Sequence, residues 1–325
     1  MNNLSKETIK ILEIIEKFGP IRSSEIVKIS KISIKNIYKH LTRLLDEDLI
    51  KKNGNTPKVY YSIKLNKDKN LVVKSIKDYF IEQNYIYLSP NGDIIRGIDG
   101  FSTWCEKNNF DFEKEKDNFY KKLKVLNKNK KDELFSAKNK ILAGKNKVYL
   151  DDIYFSDFYT FDYFGKTKLG QLVYLGKTSQ DKKIIKEIVR IVNPAIEKII
   201  NKKKIDFVGF IPPTIDRKIQ FMDVFKKELN IELENIIISK TSGDIKIPQK
   251  TLRKLEDRII NANETISVKP SQEIKGNVLI IDDATGSGAT LNEVAKKIKN
   301  INKNVKVFGY SVVGSYKNFD VISEV

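Results

Sequence analysis

Along residues 1–64 the apolar side chains recur first at helical spacing and then in alternation. Ile9, Leu12 and Ile15 share one face of a helix that Ser5 can cap and that Gly19-Pro20 stops. Ser23 or Ser24 can open a second helix through Lys28. A third runs from about Ser33 to Asp46, with Ile37, Leu41 and Leu44 at i, i+4 and i+7. Leu49-Ile50 and Val59-Tyr60-Tyr61 then predict two strands joined around Asn53-Gly54-Asn55, a hairpin with turn residues at its tip. The third helix leaves Lys35, Asn36, Tyr38, Lys39 and Arg43 on its other faces, and Lys58 adjoins the second strand.

The pattern then becomes harder to read. Residues 67–147 are expected to form a helical, charged connecting region, a spacer or a dimer contact. Leu71 to Gln83 predicts a helix, and Ser89-Pro90-Asn91-Gly92-Asp93 a turn. Ile98, Phe101 and Trp104 at three-residue spacing predict a small packed helix. Lys114–Lys124 and Lys130–Lys140 read as solvated helices of mixed charge. From Tyr149 to Lys177 the aromatic and aliphatic residues, including Leu172-Val173-Tyr174, predict antiparallel strands. Gly165-Lys166-Thr167 sits among them and lacks the earlier glycine of a phosphate-binding P-loop, since position 160 is Thr.

Beyond residue 180 helices and apolar strands alternate. The helices are expected at Lys182–Lys202 (broken or kinked at Pro194), Ile215–Leu229, Thr251–Ile260 and Gly288–Lys299. The strands are expected at Ile205–Ile211, Leu233–Ser239, Asn277–Ile281 and Val305–Val313. This alternation predicts an α/β domain over 148–325, a parallel sheet flanked by helices, with ligands bound at the carboxyl ends of its strands. Residues 1–66 form the separate N-terminal α+β domain.

Composition narrows the function. No apolar run approaches the roughly 18 residues of a membrane span, and Met1 to Pro20 lacks the apolar core of a secretory signal. A cytoplasmic protein without a membrane partner is expected. One cysteine, Cys105, excludes an internal disulfide framework. With the single histidine, His40, it also excludes a zinc ribbon. The net charge of +18 favours a polyanionic partner, although 53 of the 60 basic residues are Lys, a bias spread over the whole chain. Residues 1–64 hold 13 Lys+Arg against 7 Asp+Glu.

One stretch carries the chemistry: Val278-Leu279-Ile280-Ile281-Asp282-Asp283-Ala284-Thr285-Gly286-Ser287-Gly288-Ala289-Thr290-Leu291. A buried strand ends in two carboxylates, and a loop of small and hydroxyl residues opens a helix. Such a loop can surround a phosphate with backbone N–H groups and hydroxyls at a helix N-terminus, and its glycines let the backbone close on the ligand. Paired carboxylates beside it suit a vicinal diol or a metal ion, hence a sugar phosphate.

This stretch is similar to the phosphoribosyl-pyrophosphate (PRPP) motif of type I phosphoribosyltransferases. The resemblance implies that Asp282 and Asp283 contact the ribose hydroxyls and that Ala284, Thr285, Gly286, Ser287, Gly288, Ala289 and Thr290 hold the 5′-phosphate. Phe210-Ile211-Pro212-Pro213-Thr214, Arg217-Lys218 and Pro248-Gln249-Lys250-Thr251-Leu252, with Arg258, resemble the ComF branch, so the likeness spans about 160–325. It implies that Pro212, Pro213 and Thr214 face the pyrophosphate, although Ile-Pro-Pro-Thr replaces that branch's usual Val-Pro-Val-Pro. A cis bond at Ile211-Pro212 or Pro212-Pro213 could aim N–H groups inward. Arg217 and Lys218 are expected to stabilise the leaving pyrophosphate, with Mg²⁺ held by Asp282 and Asp283, directly or through water. Lys250 and Arg253, in a Gly243-containing connection suited to a flap, and Lys177 are further candidates. Tyr316 and Phe319 could stack a base.

The N-terminal pattern of three helices and a hairpin resembles a winged helix-turn-helix domain. It implies contact of Lys35, Asn36, Tyr38, Lys39, Arg43 and Lys58 with DNA, or with RNA. The pairing implies a phosphoribosyl transfer coupled to a nucleic-acid sensor. The alternatives are a catalytically inactive, PRPP-sensing regulator, as in winged-helix purine repressors, and an effector of phage defence or DNA uptake. A homodimer is expected, because winged helices read paired half-sites.

Overall fold

Burial of the anticipated apolar faces organises the N-terminal elements. The computed structural model describes residues 4–55, 58–64, 75–137, 147–241, 251–252, 254–270 and 273–315. The chain divides into two units, Met1–Asn129 and Lys130–Val325. In the first, α1 (Lys6–Phe18), α2 (Ser23–Ser30) and α3 (Ile34–Asp46) precede the antiparallel strands β1 (Ile50–Asn53) and β2 (Tyr60–Ile63). Ile9, Leu12, Ile15, Ile37, Leu41 and Leu44 are all buried, each contributing about 1.5–3 kcal/mol. Helices this short need that packing to persist.

The ends of these helices are fixed locally. Ser5 Oγ accepts the Thr8 N–H at 3.2 Å, and Ser33 Oγ the Asn36 N–H at 3.4 Å. α2 opens at Ser23, as expected, and its N-cap is Arg22, whose N–H donates to Glu25 Oε2 at 2.9 Å. His40 packs rather than projects. Its Nδ1 lies 2.9 Å from Thr8 Oγ1 and its Nε2 2.9 Å from Glu7 Oε2, which ties α3 to α1.

The stretch expected to connect the two halves is shared between them. α4 (Ile76–Asn84), the hairpin β3 (Ile86–Leu88) and β4 (Ile94–Arg96), α5 (Gly97–Lys107) and α6 (Phe112–Lys128) belong to the first unit. α6 is no solvated helix. It buries Phe119, Tyr120, Leu123 and Leu126, and Phe119 joins Phe101 and Trp104 around the Tyr85 ring at 5.0–6.3 Å between centroids. The helix expected over Lys130–Lys140 does not form across 130–137. Lys131 and Leu134 close a turn, and β5 (Phe135–Ser136) joins the sheet of the second unit because Phe135 stacks on Phe155 at 5.2 Å.

That sheet has seven strands in the order β5-β6-β11-β10-β7-β8-β9. The others are β6 (Asp152–Phe158), β7 (Ile205–Phe210), β8 (Glu234–Lys240), β9 (Ile266–Pro270), β10 (Asn277–Thr285) and β11 (Val307–Gly314). The inner strands β6, β11, β10, β7 and β8 run parallel, and the edges β5 and β9 antiparallel. Strand β11 is buried along its whole length, as a parallel strand covered on both faces should be. The flanking helices are α7 (Lys168–Thr178), α8 (Lys182–Lys203), α9 (Phe221–Leu229), α10 (Leu255–Thr265) and α11 (Ala289–Ile301).

Several expectations are corrected. Only Asp152–Phe158 of the expected antiparallel run is a strand, and it pairs parallel with β11. Leu172-Val173-Tyr174 lie in α7. Gly165-Lys166-Thr167 therefore does lead into a helix. Thr167 Oγ1 accepts the Gly170 N–H at 2.9 Å and donates to the Phe158 carbonyl at 2.5 Å. Gly170 allows the close approach, since a Cβ there would overlap the Tyr159 carbonyl. α8 continues through Pro194 unbroken. β9 was not anticipated, and α9 and α10 begin later than expected. Both Ile211-Pro212 and Pro212-Pro213 are trans.

Candidate functional site

The carboxyl end of β10 builds the site. Val278 to Ile281 are fully buried, and the next two residues are Asp282 and Asp283. Adjacent strand residues project to opposite faces, so the pair is divided between the two helical layers. Asp283 turns toward α7, where Lys177 Nζ is 2.9 Å from its Oδ1. Asp282 continues the row of Ile280, which pairs with Gly309, the glycine against which Leu291 of α11 packs.

The electrostatics differ on the two sides. Desolvation, and then the neighbouring Asp283 carboxylate, push Asp282 up to about 7, against the pull of Lys177, the Asp283 N–H at 2.8 Å, and Lys240. Lys240 ends β8 and donates to Thr214 Oγ1 at 2.6 Å. Burial moves its ammonium below the usual lysine range, opposed by Asp282.

Beyond the carboxylates the chain makes a small-residue loop. Thr285 is buried, and its Oγ1 has no hydrogen-bond partner in the structure. Gly286 and Ser287 follow, and Gly288 adopts φ +75°, a left-handed conformation that glycine takes without strain. α11 then starts with no side-chain cap. Ser287 Oγ lies 3.4 Å from the Ala289 N–H. A helix start whose N-cap residue is a glycine, and an unsatisfied buried hydroxyl at one loop, form a set of donors suited to an anion.

This loop lines a cleft of about 250 Å³ together with both carboxylates, Pro212, Pro213, Thr214, Lys177, Arg217, Lys240 and Arg258. The structure thus brings together Asp282, Asp283, residues 284–290, Pro212–Thr214 and Arg217. Lys218 is exposed and does not line the cleft. Arg217 Nη1 donates to the Lys177 carbonyl, and Arg258 Nε to that of Leu252 at 2.8 Å. No motif in the sequence marks Lys240, although it occupies the same kind of place as Asp282, the carboxyl end of an apolar parallel strand. Gly243, Lys250, Arg253, Tyr316 and Phe319 lie outside the described residues.

In the first unit, Lys35, Asn36, Tyr38 and Lys39 are exposed on α3, and Lys58 is exposed in the hairpin. Arg43 is half-buried, its Nε 3.1 Å from Glu47 Oε1. Arg22 packs on the Tyr60 ring at 4.8 Å and donates to its hydroxyl at 2.5 Å, which braces the hairpin. No helix among the described residues is long and apolar enough to cross a membrane. No protein-family model matches this sequence, and no curated protein matches it either.

Proposed function

We propose that the second unit is a phosphoribosyltransferase-like domain that binds PRPP and transfers its phosphoribosyl group with release of pyrophosphate, and that the first is a winged helix that binds nucleic acid. One observation carries the first reading: the adjacent carboxylates of β10 open directly onto a loop with an unsatisfied buried hydroxyl, Thr285, and a helix start whose N-cap is Gly288. In this reading Asp282 and Asp283 accept hydrogen bonds from the ribose hydroxyls, and Asp283 exchanges Lys177 for the sugar. The backbone of residues 284–290, with Thr285 and Ser287, holds the 5′-phosphate. A nucleophilic atom of the acceptor bonds to C1 as the C1–O bond to pyrophosphate breaks, and positive charge develops on the sugar while negative charge gathers on the leaving group, which departs as pyrophosphate. Arg217 and Lys240, with the Pro212–Thr214 loop, stabilise that leaving group.

Two carboxylates fit a Mg²⁺ ion whose remaining ligands are phosphate oxygens and water. Among the described residues no group of three or more acidic, histidine or cysteine side chains offers a protein-only cage. Asp282 and Asp283 would hold the ion, directly or through water, and its chemistry there is charge neutralisation of the pyrophosphate.

The exposed basic face of α3 on the same chain favours a second reading, a PRPP-sensing regulator that binds nucleic acid and performs no transfer. Pyrophosphate release from PRPP and Mg²⁺, with a pooled metabolite extract as acceptor, separates the two. Release that is lost in Asp282→Asn/Asp283→Asn supports the enzyme. No release, with PRPP still raising the Tm of the wild type, supports the regulator. Neither release nor a Tm shift overturns the assignment of the cleft.

A further inference from the structure

The solvent-facing side of α3 is not uniformly charged. Beside Lys35 and Lys39, Ile34 is 46% exposed and Tyr38, one turn later, 50% exposed. Large apolar side chains at i and i+4 share a stripe along the helix, and about half of each side chain here stands in solvent. Ile37, Leu41 and Leu44 already fill the buried stripe. The Tyr38 hydroxyl lies 3.2 Å from Ser23 Oγ at the start of α2, so its ring is held. Lys35 and Lys39 run along one side of the stripe, away from the buried Ile37 and Leu41, and the one acid among the exposed residues of α3, Asp46, sits at the far end of the helix. The exposed N-terminal half therefore sets a positive strip beside an apolar one that borders the buried face.

We propose that Ile34 and Tyr38 read thymine C5-methyl groups in the major groove of double-stranded DNA. This deepens the nucleic-acid reading of the first unit and rests on it. In the major groove thymine alone among the four bases presents a methyl group, and an apolar side chain gains from covering it. The lysines along one side of the pair match the phosphates that border the groove there. An RNA duplex is a poor match, since its major groove is too deep and narrow for a helix and its uracil carries no methyl.

The test uses the full-length protein and a duplex selected by it from a random DNA pool. Binding of that duplex is compared with the same sequence in which thymines are replaced singly by uracil. Loss of a covered methyl should weaken binding about fourfold at one or two positions and leave the rest unchanged. Ile34→Ala should erase the thymine–uracil difference at one of them, whereas Lys39→Ala should weaken both duplexes equally. Duplex binding that is indifferent to every replacement overturns this inference and leaves the nucleic-acid reading standing. Binding to RNA or single strands but not to duplex DNA also overturns it. Absence of any nucleic-acid binding overturns both.

Discussion

Lys177 Nζ stands 2.9 Å from Asp283 Oδ1, and it also attracts Asp282, so one ammonium serves two adjacent carboxylates. Lys177→Met leaves both without it. We expect a loss of about 1–3 kcal/mol of stability, since removing one partner of a largely desolvated pair strands the other. Asp283→Asn in the same background should recover most of that loss. Urea unfolding of the two variants, compared at equal m, measures both effects.

The raised Asp282 carboxyl has a stability signature. Its folded pKa of about 7 exceeds the ordinary carboxylate value, so the folded state holds the extra proton between about pH 4 and pH 7. That contribution is fully present below the unfolded pKa and is lost as pH rises through the folded one. Asp282→Asn removes the dependence. The variant should be more stable than the wild type by on the order of 1–3 kcal/mol at pH 8, with the difference shrinking toward pH 5. Thermal melts across this range measure it, and a pH-independent difference contradicts the environment described for Asp282.

The buried Thr285 hydroxyl separates folding from binding. Thr285→Val keeps the shape of the side chain and removes a polar atom that has no partner in the structure. Stability should be unchanged or raised by about 1 kcal/mol, and PRPP affinity should fall about tenfold if the hydroxyl serves the phosphate. Calorimetric titration with PRPP and a melt of the free protein read the two effects separately.

On α3, Lys39 is exposed and makes no ion pair among the described residues. Lys39→Ala should weaken nucleic-acid binding with little regard to sequence, and should reduce the slope of log K against log salt by about 1. Fluorescence anisotropy at a series of salt concentrations gives that slope. An unchanged slope would place the phosphate contacts elsewhere.

Gly170→Ala should destabilise the second unit by about 3 kcal/mol or more, because the added Cβ meets the Tyr159 carbonyl, a backbone atom with no room to yield. Gly165→Ala is a less crowded comparison: its Cβ would meet nothing, and only its φ of +89° opposes the change. The difference between their unfolding midpoints isolates the steric part.

Much of this was legible in the chain because local pattern and tertiary need agree. Ile37, Leu41 and Leu44 are buried at the spacing that announced α3, and Val278 to Ile281 are as apolar as a strand covered on both faces must be. The Asp282–Thr290 stretch was visible because its residue types suit only a narrow range of sites. The failures have physical causes. α7 was missed because the aromatic residues before it alternate, and that alternation masked the helical spacing of Leu169, Leu172, Val173 and Leu175. The charged neighbours of Phe135 suggest a helix, whereas its position is set by Phe155, twenty residues away in sequence and 5.2 Å away in space. Lys240 carries no local signal, because only the sheet order, with β7 between β8 and β10, brings it near Asp282.

The pleat of β10 makes the two carboxylates inequivalent by position alone. Insertion or deletion of one residue upstream in the strand would send Asp282 to the layer of α7 and Asp283 to that of α11, exchanging salt-bridged for desolvated surroundings. The composition of the motif would survive, yet the acid with the raised pKa would now be the other one. Replacement of either aspartate is a repairable change of chemistry, but a shift in strand length is a change of address. The site is therefore more vulnerable to length polymorphism in β10 than to most single substitutions along it.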